Sequence, residues 1–544
     1  MYHAQQWRMI QIDLKARQCP ENPSAGADIW GEFVHESGTI VKIPAFWNGE
    51  KDYGIRFAPT KTGIWNYRIS ALPEILGLDG MTGQVNCQPY EGQEDIYRHG
   101  FLKKGPRGRY LSYQDNTPFF WLGDTHWGFI TQEQWDESND PSMASQFKGM
   151  VNCRKTQGFT VYQCNMQCLF KPDNDRPFYR PVTYFIETDQ GWLPNLDVFK
   201  NNMDLKMAYL SDLGFVIALG FSWYSSIDNP GAADFYKMVA RYIIARYGAY
   251  PIVWTLAGEV AGYNQDKRNI YINGWRQVAL EIQRLDDYGH LQTCHYTNER
   301  PLADYYQEED WYDFTLNQCG HGDLPINQKV YRAHMDKYPV TPFVEGEALY
   351  DGLTTIEDLQ RRTVDAQMVR LAAYTAMQNG ACGYTYGAQG CWNGQWDWPQ
   401  KEENTYWGSM PWFKGIYLDG ADSMKIMRDF YEQIEWFNLS PMYHACQIHN
   451  PENTEQFLLR ATPEVMTSPD TRIVTAYFKG IAVFPLRLNG LAFDAYRMQW
   501  FDPSTGKWQE EESFVKTVSG GVEIPVKPDE KDWMLVLTAW EEEV

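Results

Sequence analysis

The chain of 544 residues contains no run of roughly 18 apolar residues, the least that crosses a bilayer as a helix. Its start, MYHAQQWRMI, lacks the basic region and apolar core of a signal peptide. A cytoplasmic location is therefore expected, or a secreted one if a signal has been removed. Basic residues are few: 48 Lys and Arg stand against 70 Asp and Glu, a formal charge of −22. That balance excludes nucleic acid and anionic membrane as expected partners. The ten cysteines form no CxxC pair, and Cys164, Cys294 and Cys382 lie in strand-like runs. They read as reduced, buried thiols rather than a disulfide framework. No GxGxxG turn follows an early strand, which disfavours a dinucleotide-binding open sheet. No GxSxG elbow marks a serine hydrolase. His126, His295, Asp124 and His321 could be imagined around a metal, but no HxH or HExxH spacing supports it, so neither metal nor cofactor is expected. Repeats and low-complexity tracts are missing too.

What is abundant is aromatic. Phe, Trp and Tyr make up 15% of the chain, with 22 Trp and 35 Tyr. Much of this must fill cores. The surplus suits a carbohydrate ligand, because flat rings stack on the apolar faces of sugars while Trp and Tyr keep a polar handle.

Two stretches organise the rest. Residues 251–260 read PIVWTLAGEV: an apolar strand, two small residues, then Glu259. Ahead of it, Phe235, Met238, Val239, Tyr242 and Ile243 recur at helical spacing, with Gly248 at the stop. Residues 340–351 read VTPFVEGEALYD, another short strand ending in Glu345 and Glu347. Residues two apart on a strand share a face, so both acids are expected to point into one cavity. Carboxylates from two strand ends are the minimum set for cleaving a glycosidic bond: one protonates the leaving oxygen, the other attacks or activates water.

Taken in order, residues 1–95 alternate over short runs broken by turn signals and predict a β-sandwich with Trp47, Phe57 and Trp65 among its core aromatics. Residues 96–444 alternate strand-like and helix-like stretches, the pattern of parallel βα units. Candidate strands are 119–122, 159–163, 215–219, 251–259, 291–295, 313–317, 342–345 and 383–386, with helices including 271–285 and 356–377. Eight such units predict a (β/α)8 barrel with long rim loops. Residues 445–544 return to β character, with strands expected at 457–460, 473–478, 498–501 and 534–537. The fold class is thus α/β, a TIM barrel flanked by two sandwiches. If strand ends face one mouth, they gather Asp124, His126, Trp127, Gln163, Asn165, Trp223, Glu259, His295, Gln318, His321, Glu345, Glu347, Tyr384 and Tyr386. Acids, amides, histidines and aromatics are what a sugar's hydroxyl edges and CH faces require. Each has a plainer alternative: Asp124 as a helix cap, His126 and His295 as structural histidines.

At these same residues the chain resembles the apiosidase-like glycoside hydrolases. Phe120-Trp-Leu-Gly-Asp-Thr-His-Trp127 is similar to that family's first-strand signature, Val253-Trp-Thr-Leu-Ala-Gly-Glu259 to its fourth, Leu316-Asn-Gln-Cys-Gly-His321 to its sixth, 342–351 to its seventh and Gly383-Tyr-Thr-Tyr-Gly387 to its eighth. The first segment, with Glu21-Asn-Pro23, resembles the β-sandwich found ahead of such barrels. The last, with Trp500-Phe-Asp-Pro-Ser-Thr-Gly506, resembles a following sandwich sometimes labelled collagen-binding. The resemblance implies a retaining hydrolase with Glu259 as acid/base and Glu347 as nucleophile, acting on a plant-type oligosaccharide or glycoside. With that chemistry, hydroxyl ligands are expected at Asp124, His126, Gln318, His321 and Tyr386, and stacking on Trp127, Trp223 and Trp392. One departure stands out. The family's fourth-strand acid is commonly Asp after Gly-Gly, whereas here Glu follows Ala-Gly. The extra methylene moves a carboxyl by over ~1 Å, more than a catalytic site tolerates, so apiose itself is not carried over as the sugar. Gly258 also stands where many barrel glycosidases place Asn. The alternative from another class is a non-catalytic carbohydrate-binding or scaffold protein on a degenerate barrel. A homo-oligomer is compatible with either.

Overall fold

The computed structural model describes residues 1–170, 182–297, 305–321, 324–338, 340–354, 362–396, 410–448, 460–510 and 513–540. At its centre, seven parallel strands form one sheet. In chain order they are Trp121–His126, Val161–Asn165, Val216–Trp223, Ile252–Gly258, Thr315–Gln318, Phe343–Glu347 and Gly383–Tyr386. The first and the last pair with each other, Gly123 opposite Thr385. The remaining gap, between Ile252–Gly258 and Thr315–Gln318, is spanned by residues 291–296. Gln292 bridges Trp254 and His295 bridges Leu316, both in parallel sense. With that segment as the fifth stave the cylinder closes as a TIM barrel. We number the staves one to eight in chain order.

Most staves form where expected because they are short runs separated by helices, although no helix among the described residues separates the fifth from the sixth, and the fourth is buried along its whole length. Helices Gln146–Thr156, Ala232–Tyr247, Arg268–Leu285 and Ala366–Gln378 pack around the outside. Two start on side-chain caps, Ser145 accepting from the Lys148 N–H and Asp365 from the Met368 N–H. Residues 356–361 of the expected helix 356–377 lie outside the described residues, and the observed helix begins only at Ala366.

Two sandwiches flank the barrel. In the first, strands Asp28–His35 and Gly63–Leu72 alternate buried and exposed residues, and Phe33 stacks on Phe57 at 3.9 Å against Trp65. Trp47 sits at the margin of that core, half-buried. The sandwich ends at Gln88, and the strands Leu102–Lys104, Leu111–Tyr113 and Pro118–Phe119 lead into the barrel. The last domain pairs Ile473–Phe478, Trp533–Ala539 and Ala495–Asp502 in one sheet, with Leu486–Asn489 in the other. The strand expected at 457–460 lies outside the described residues except for Arg460. No helix among the described residues is long and apolar enough to cross a membrane, and none of the ten cysteines is in a disulfide.

Each sandwich is tied to the barrel by arginine and aspartate. Asp204 accepts from Arg56 of the first sandwich and from Arg246 of the barrel. Asp532 of the last domain, fully buried, takes a bidentate pair from Arg370 at 3.0 and 3.0 Å and a third bond from Tyr477. Removing one member of such a pair strands a buried charge. Arg370→Ala is therefore expected to cost about 3–5 kcal/mol in urea denaturation. Arg370→Ala with Asp532→Ala should cost less than Arg370→Ala alone.

Candidate active site

The mouth of the barrel is built around Glu347, at the end of the seventh stave. Pairing with the sixth stave runs Asn317 to Glu345, then jumps to Gln318 and Glu347, so Gly346 is one extra residue in the ladder. This bulge undoes the alternation that would put Glu345 and Glu347 on one face. The extra residue has to be small: a Cβ on Gly346 would lie 2.6 Å from Leu316 Cδ1 and 3.1 Å from the Asn317 carbonyl. The Gly346 carbonyl accepts from Gln163 Nε2 of the second stave at 2.9 Å, across the barrel interior. Gln163 is itself held by Thr385 Oγ1 at 3.1 Å.

Past the bulge, Glu347 enters a polar nest. Its oxygens lie 3.4 Å from His295 Nε2 and 3.3 Å from His321 Nε2. Gln318 and the Tyr350 hydroxyl also hydrogen-bond it. Burial pushes the Glu347 carboxyl up, but the His321 hydrogen bond, the two histidines' charge and Gln318 outweigh it and hold the group below its ordinary range. Burial keeps His295 below the usual imidazole range despite Glu347. Aromatic rings wall the nest. Trp127 meets Trp223 edge-on at 5.5 Å and His295 at 5.5 Å, Tyr350 accepts from Trp127 Nε1 at 3.2 Å, and Trp392 lies 6.1 Å from Tyr350.

Glu259 stands at the rim. It follows the fourth stave directly, with φ +53°, and the Gly262 N–H closes a tight turn onto its carbonyl. A non-glycine residue in the left-handed region costs of order 1–3 kcal/mol and recurs where function requires a fixed direction. Gly258 before it is where Trp223 lies: a Cβ there would be 2.3 Å from the indole. Glu259 is half-buried and accepts from the Tyr263 hydroxyl at 2.6 Å. Tyr263 is raised by burial and then by the charges of Glu259 and, further down its causes, Glu347. Tyr263 thus feels the charge of both carboxylates.

Other residues expected at the mouth lie elsewhere. Asp124 and His126 face outward, into the layer between barrel and helices. Asp124 Oδ2 takes Arg154 Nε at 2.7 Å and His126 Nε2 at 2.9 Å, and His126 Nδ1 meets Glu133 at 2.8 Å. Tyr386 donates to Asp351 at 2.9 Å, beneath the Arg154 guanidinium. Tyr384 stands opposite Glu345 on the neighbouring stave, completely buried. Glu345 itself turns away to Asn317, Cys319 and Tyr331. The inward side chains are Trp121 and Thr125 on the first stave and Thr385 on the eighth; Trp121 bonds to Thr385, and Thr125 meets the Tyr350 hydroxyl. Gln163 faces inward but serves the bulge. Asp124, His126, Tyr384, Tyr386 and Glu345 are thus corrected from mouth to outer layer. The reason is that both faces of a parallel stave are buried, so polarity at its end does not tell which face is inside. Tyr350 and Tyr263 were the residues passed over. Each follows a rim acid by three or four positions, a spacing that could have flagged them.

Among the described residues no three His, Cys, Asp or Glu side chains are arranged to hold a metal ion. Residues 106–438, more than half of the chain, match the model of the apiosidase-like catalytic domain. Residues 3–72 match a domain of unknown function, DUF5060, and residues 460–538 a model described as a candidate collagen-binding domain of a collagenase. Among solved structures, a glycoside hydrolase is similar at 20% identity and TM-score 0.65, over 81% of this chain and 97% of its own. A glycoside hydrolase family 5 structure from Bacteroides vulgatus ATCC 8482 is similar at 18% identity and TM-score 0.65, over 81% and 93%. A second protein from that organism covers 99% of this chain and 100% of its own, at 15% identity and TM-score 0.67. At these identities the likeness is one of fold. Comparison with curated proteins finds no match.

The outer-layer reading of His126 has a pH signature. Burial alone would lower its pKa, but Glu133 and Asp124 raise it to about 9. A raised histidine stabilises fully below about 6.5, and that stability is lost as pH rises through about 9. Lys206, pushed down to about 7 by burial, pulls the other way. The His126 contribution is therefore read as a difference: wild type should lose up to about 3 kcal/mol relative to His126→Gln between pH 6 and 9.5 in urea titrations.

Proposed function

The chain belongs to the apiosidase-like family of glycoside hydrolases, and from that premise we propose that it cleaves a glycosidic bond of a plant-derived oligosaccharide or glycoside with retention of configuration. Glu347 is the nucleophile and Glu259 the acid/base. The observation that carries this is the contrast between the two carboxylates. Glu347 is deep, kept ionised by His295, His321 and Gln318, and so is ready to attack an anomeric carbon. Glu259 is half-exposed at the rim, where a leaving oxygen and later a water can reach it.

The steps follow. The sugar enters with one face against the rings of Trp127, Trp223 and Trp392, and His295, Gln318 and His321 accept or donate to its hydroxyls. Glu347 forms the bond to the anomeric carbon as Glu259 gives its proton to the departing oxygen. Glu259, now a carboxylate, takes a proton from water, which displaces Glu347. Retention needs the carboxyls roughly 5–5.5 Å apart. The Tyr263 hydroxyl donates to Glu259 Oε1 at 2.6 Å and so helps to fix the direction of the acid/base carboxyl. Asp124, His126, Tyr384, Tyr386 and Glu345 are left out of substrate contact.

A panel of aryl glycosides and plant cell-wall oligosaccharides, read by the mass of the released sugar, names the substrate. With it, Glu347→Gln and Glu259→Gln should each lower kcat by about 10²-fold or more, the latter least with activated aryl leaving groups. Binding of sugar without turnover across the panel would favour the non-catalytic alternative. Loss of activity in Glu345→Gln but not in Glu347→Gln would move the nucleophile. His321→Ala releases Glu347 from one of its hydrogen bonds, so the acidic limb of kcat/KM should move to higher pH. An unmoved limb would assign that limb to another group.

A further inference from the structure

Glu345 has no place in the reaction steps, yet it is completely buried and surrounded by donors. Its Oε2 accepts from Asn317 Nδ2 and from the Tyr331 hydroxyl at 2.9 Å. Its Oε1 accepts from the Cys319 N–H at 3.0 Å and from the Glu347 N–H at 3.3 Å. Two of these donors are backbone groups on the segments that carry the chemistry. Cys319 lies between Gln318 and His321, which hold Glu347 ionised, and the fourth donor is the backbone of Glu347 itself. The Tyr331 bond reaches outward to helix Leu324–Lys337 and anchors the junction to the barrel's outer layer.

We propose that Glu345 is the positioning residue of the site: its single carboxylate clamps the sixth-stave exit to the seventh-stave bulge and so sets both the direction of Glu347 and its contact with Gln318 and His321. This rests on the reading of Glu347 as nucleophile. The bulge alone does not fix that direction, because an extra residue loosens the ladder at the point where a reacting atom has to be held. The clamp replaces the lost ladder bonds with two bonds to one side chain. Misplacement by ~1 Å at a reacting group costs up to about 100-fold, so the constraint is of kinetic size.

The titratable groups facing Glu345 are Cys319, Tyr331 and, from the eighth stave, Tyr384. Burial raises the Glu345 carboxyl to about 7, against the hydrogen bonds from the Cys319 N–H, Asn317 and Tyr331. Near neutrality it is therefore partly protonated, and glutamine imitates that form. A glutamine keeps an oxygen on the two backbone N–H groups. It offers its NH2 to the Tyr331 oxygen and to the Asn317 side-chain oxygen, which is buried without a partner. Leucine removes the clamp. Aspartate keeps the charge but is one methylene short of bridging both segments.

The test uses the full chain with Glu345→Gln, Glu345→Asp and Glu345→Leu. Two quantities are read: the Glu347 pKa, by 13C NMR of labelled glutamate, and kcat and KM per folded molecule on the substrate found above. Glu345→Leu is expected to raise the Glu347 pKa and to lower kcat about 10- to 100-fold with little change in KM. Glu345→Asp should move both in the same direction by less, and it carries the test if the leucine variant does not fold. Glu345→Gln should stay near wild type. The proposal is overturned if Glu345→Leu or Glu345→Asp lowers Tm while the Glu347 pKa and kcat remain those of wild type, or if Glu345→Gln behaves like Glu345→Leu. If wild type hydrolyses nothing, the nucleophile reading fails, while the NMR titration still decides whether Glu345 places Glu347.

Discussion

One extra residue in the seventh stave decides the chemistry of the mouth. With regular pairing, Glu345 and Glu347 would share a face, and two buried carboxylates would repel each other in one cavity. Gly346 breaks the register and sends one acid outward to Asn317, Cys319 and Tyr331, the other inward to His295, His321 and Gln318. The two environments then pull the acids apart: Glu345 is raised by burial, Glu347 lowered by its partners. Gln163, bonded across the barrel to the Gly346 carbonyl, keeps the bulge from relaxing.

The rim acid depends on a different stave. The fourth stave has its own register shift against the third, with Thr255 as the extra residue and Leu256 at φ +54°, and it is followed by Glu259, also left-handed, beside Trp223. Deep and shallow carboxylates therefore each follow a break in the register of their stave. The rest of the molecule holds that cylinder still. Buried pairs between Asp124, Arg154, His126 and Glu133 join the first stave to the helix that follows it, and Arg370 with Asp532 fastens the last sandwich on the other side. Fixed polar groups in such a frame need little reorganisation when charge develops, which is where most of the rate enhancement in such sites arises.

Much of this was legible in the chain. All eight staves could be located, because most are apolar runs of strand length set off by helical stretches. The fifth shows only bridges to its neighbours but falls where the pattern puts it. The two sandwiches were legible from alternation, since each has one face to the core and one to water. What could not be read was the inside of the barrel. Alternation separates two faces but does not label them when both are buried. Asp124, His126 and Tyr386 looked like mouth residues, and they are outer-layer groups; the partners of Asp124 and Tyr386, Arg154 and Asp351, stand far from them in sequence. The bulge was equally silent, since a glycine between two glutamates is visible while its extra place in the ladder is a property of pairing with the sixth stave.

The central claim is that Glu347 becomes bonded to the sugar while Glu259 serves the leaving oxygen. The most direct measurement is to treat the protein with a 2-deoxy-2-fluoro glycoside of the sugar it releases, carrying an activated leaving group, and then to map the labelled peptide by mass. The account predicts one sugar per chain, attached at Glu347, with hydrolysis of the natural substrate giving the retained anomer. Attachment at Glu345 or Glu259, or release of the inverted anomer with no adduct, would contradict it.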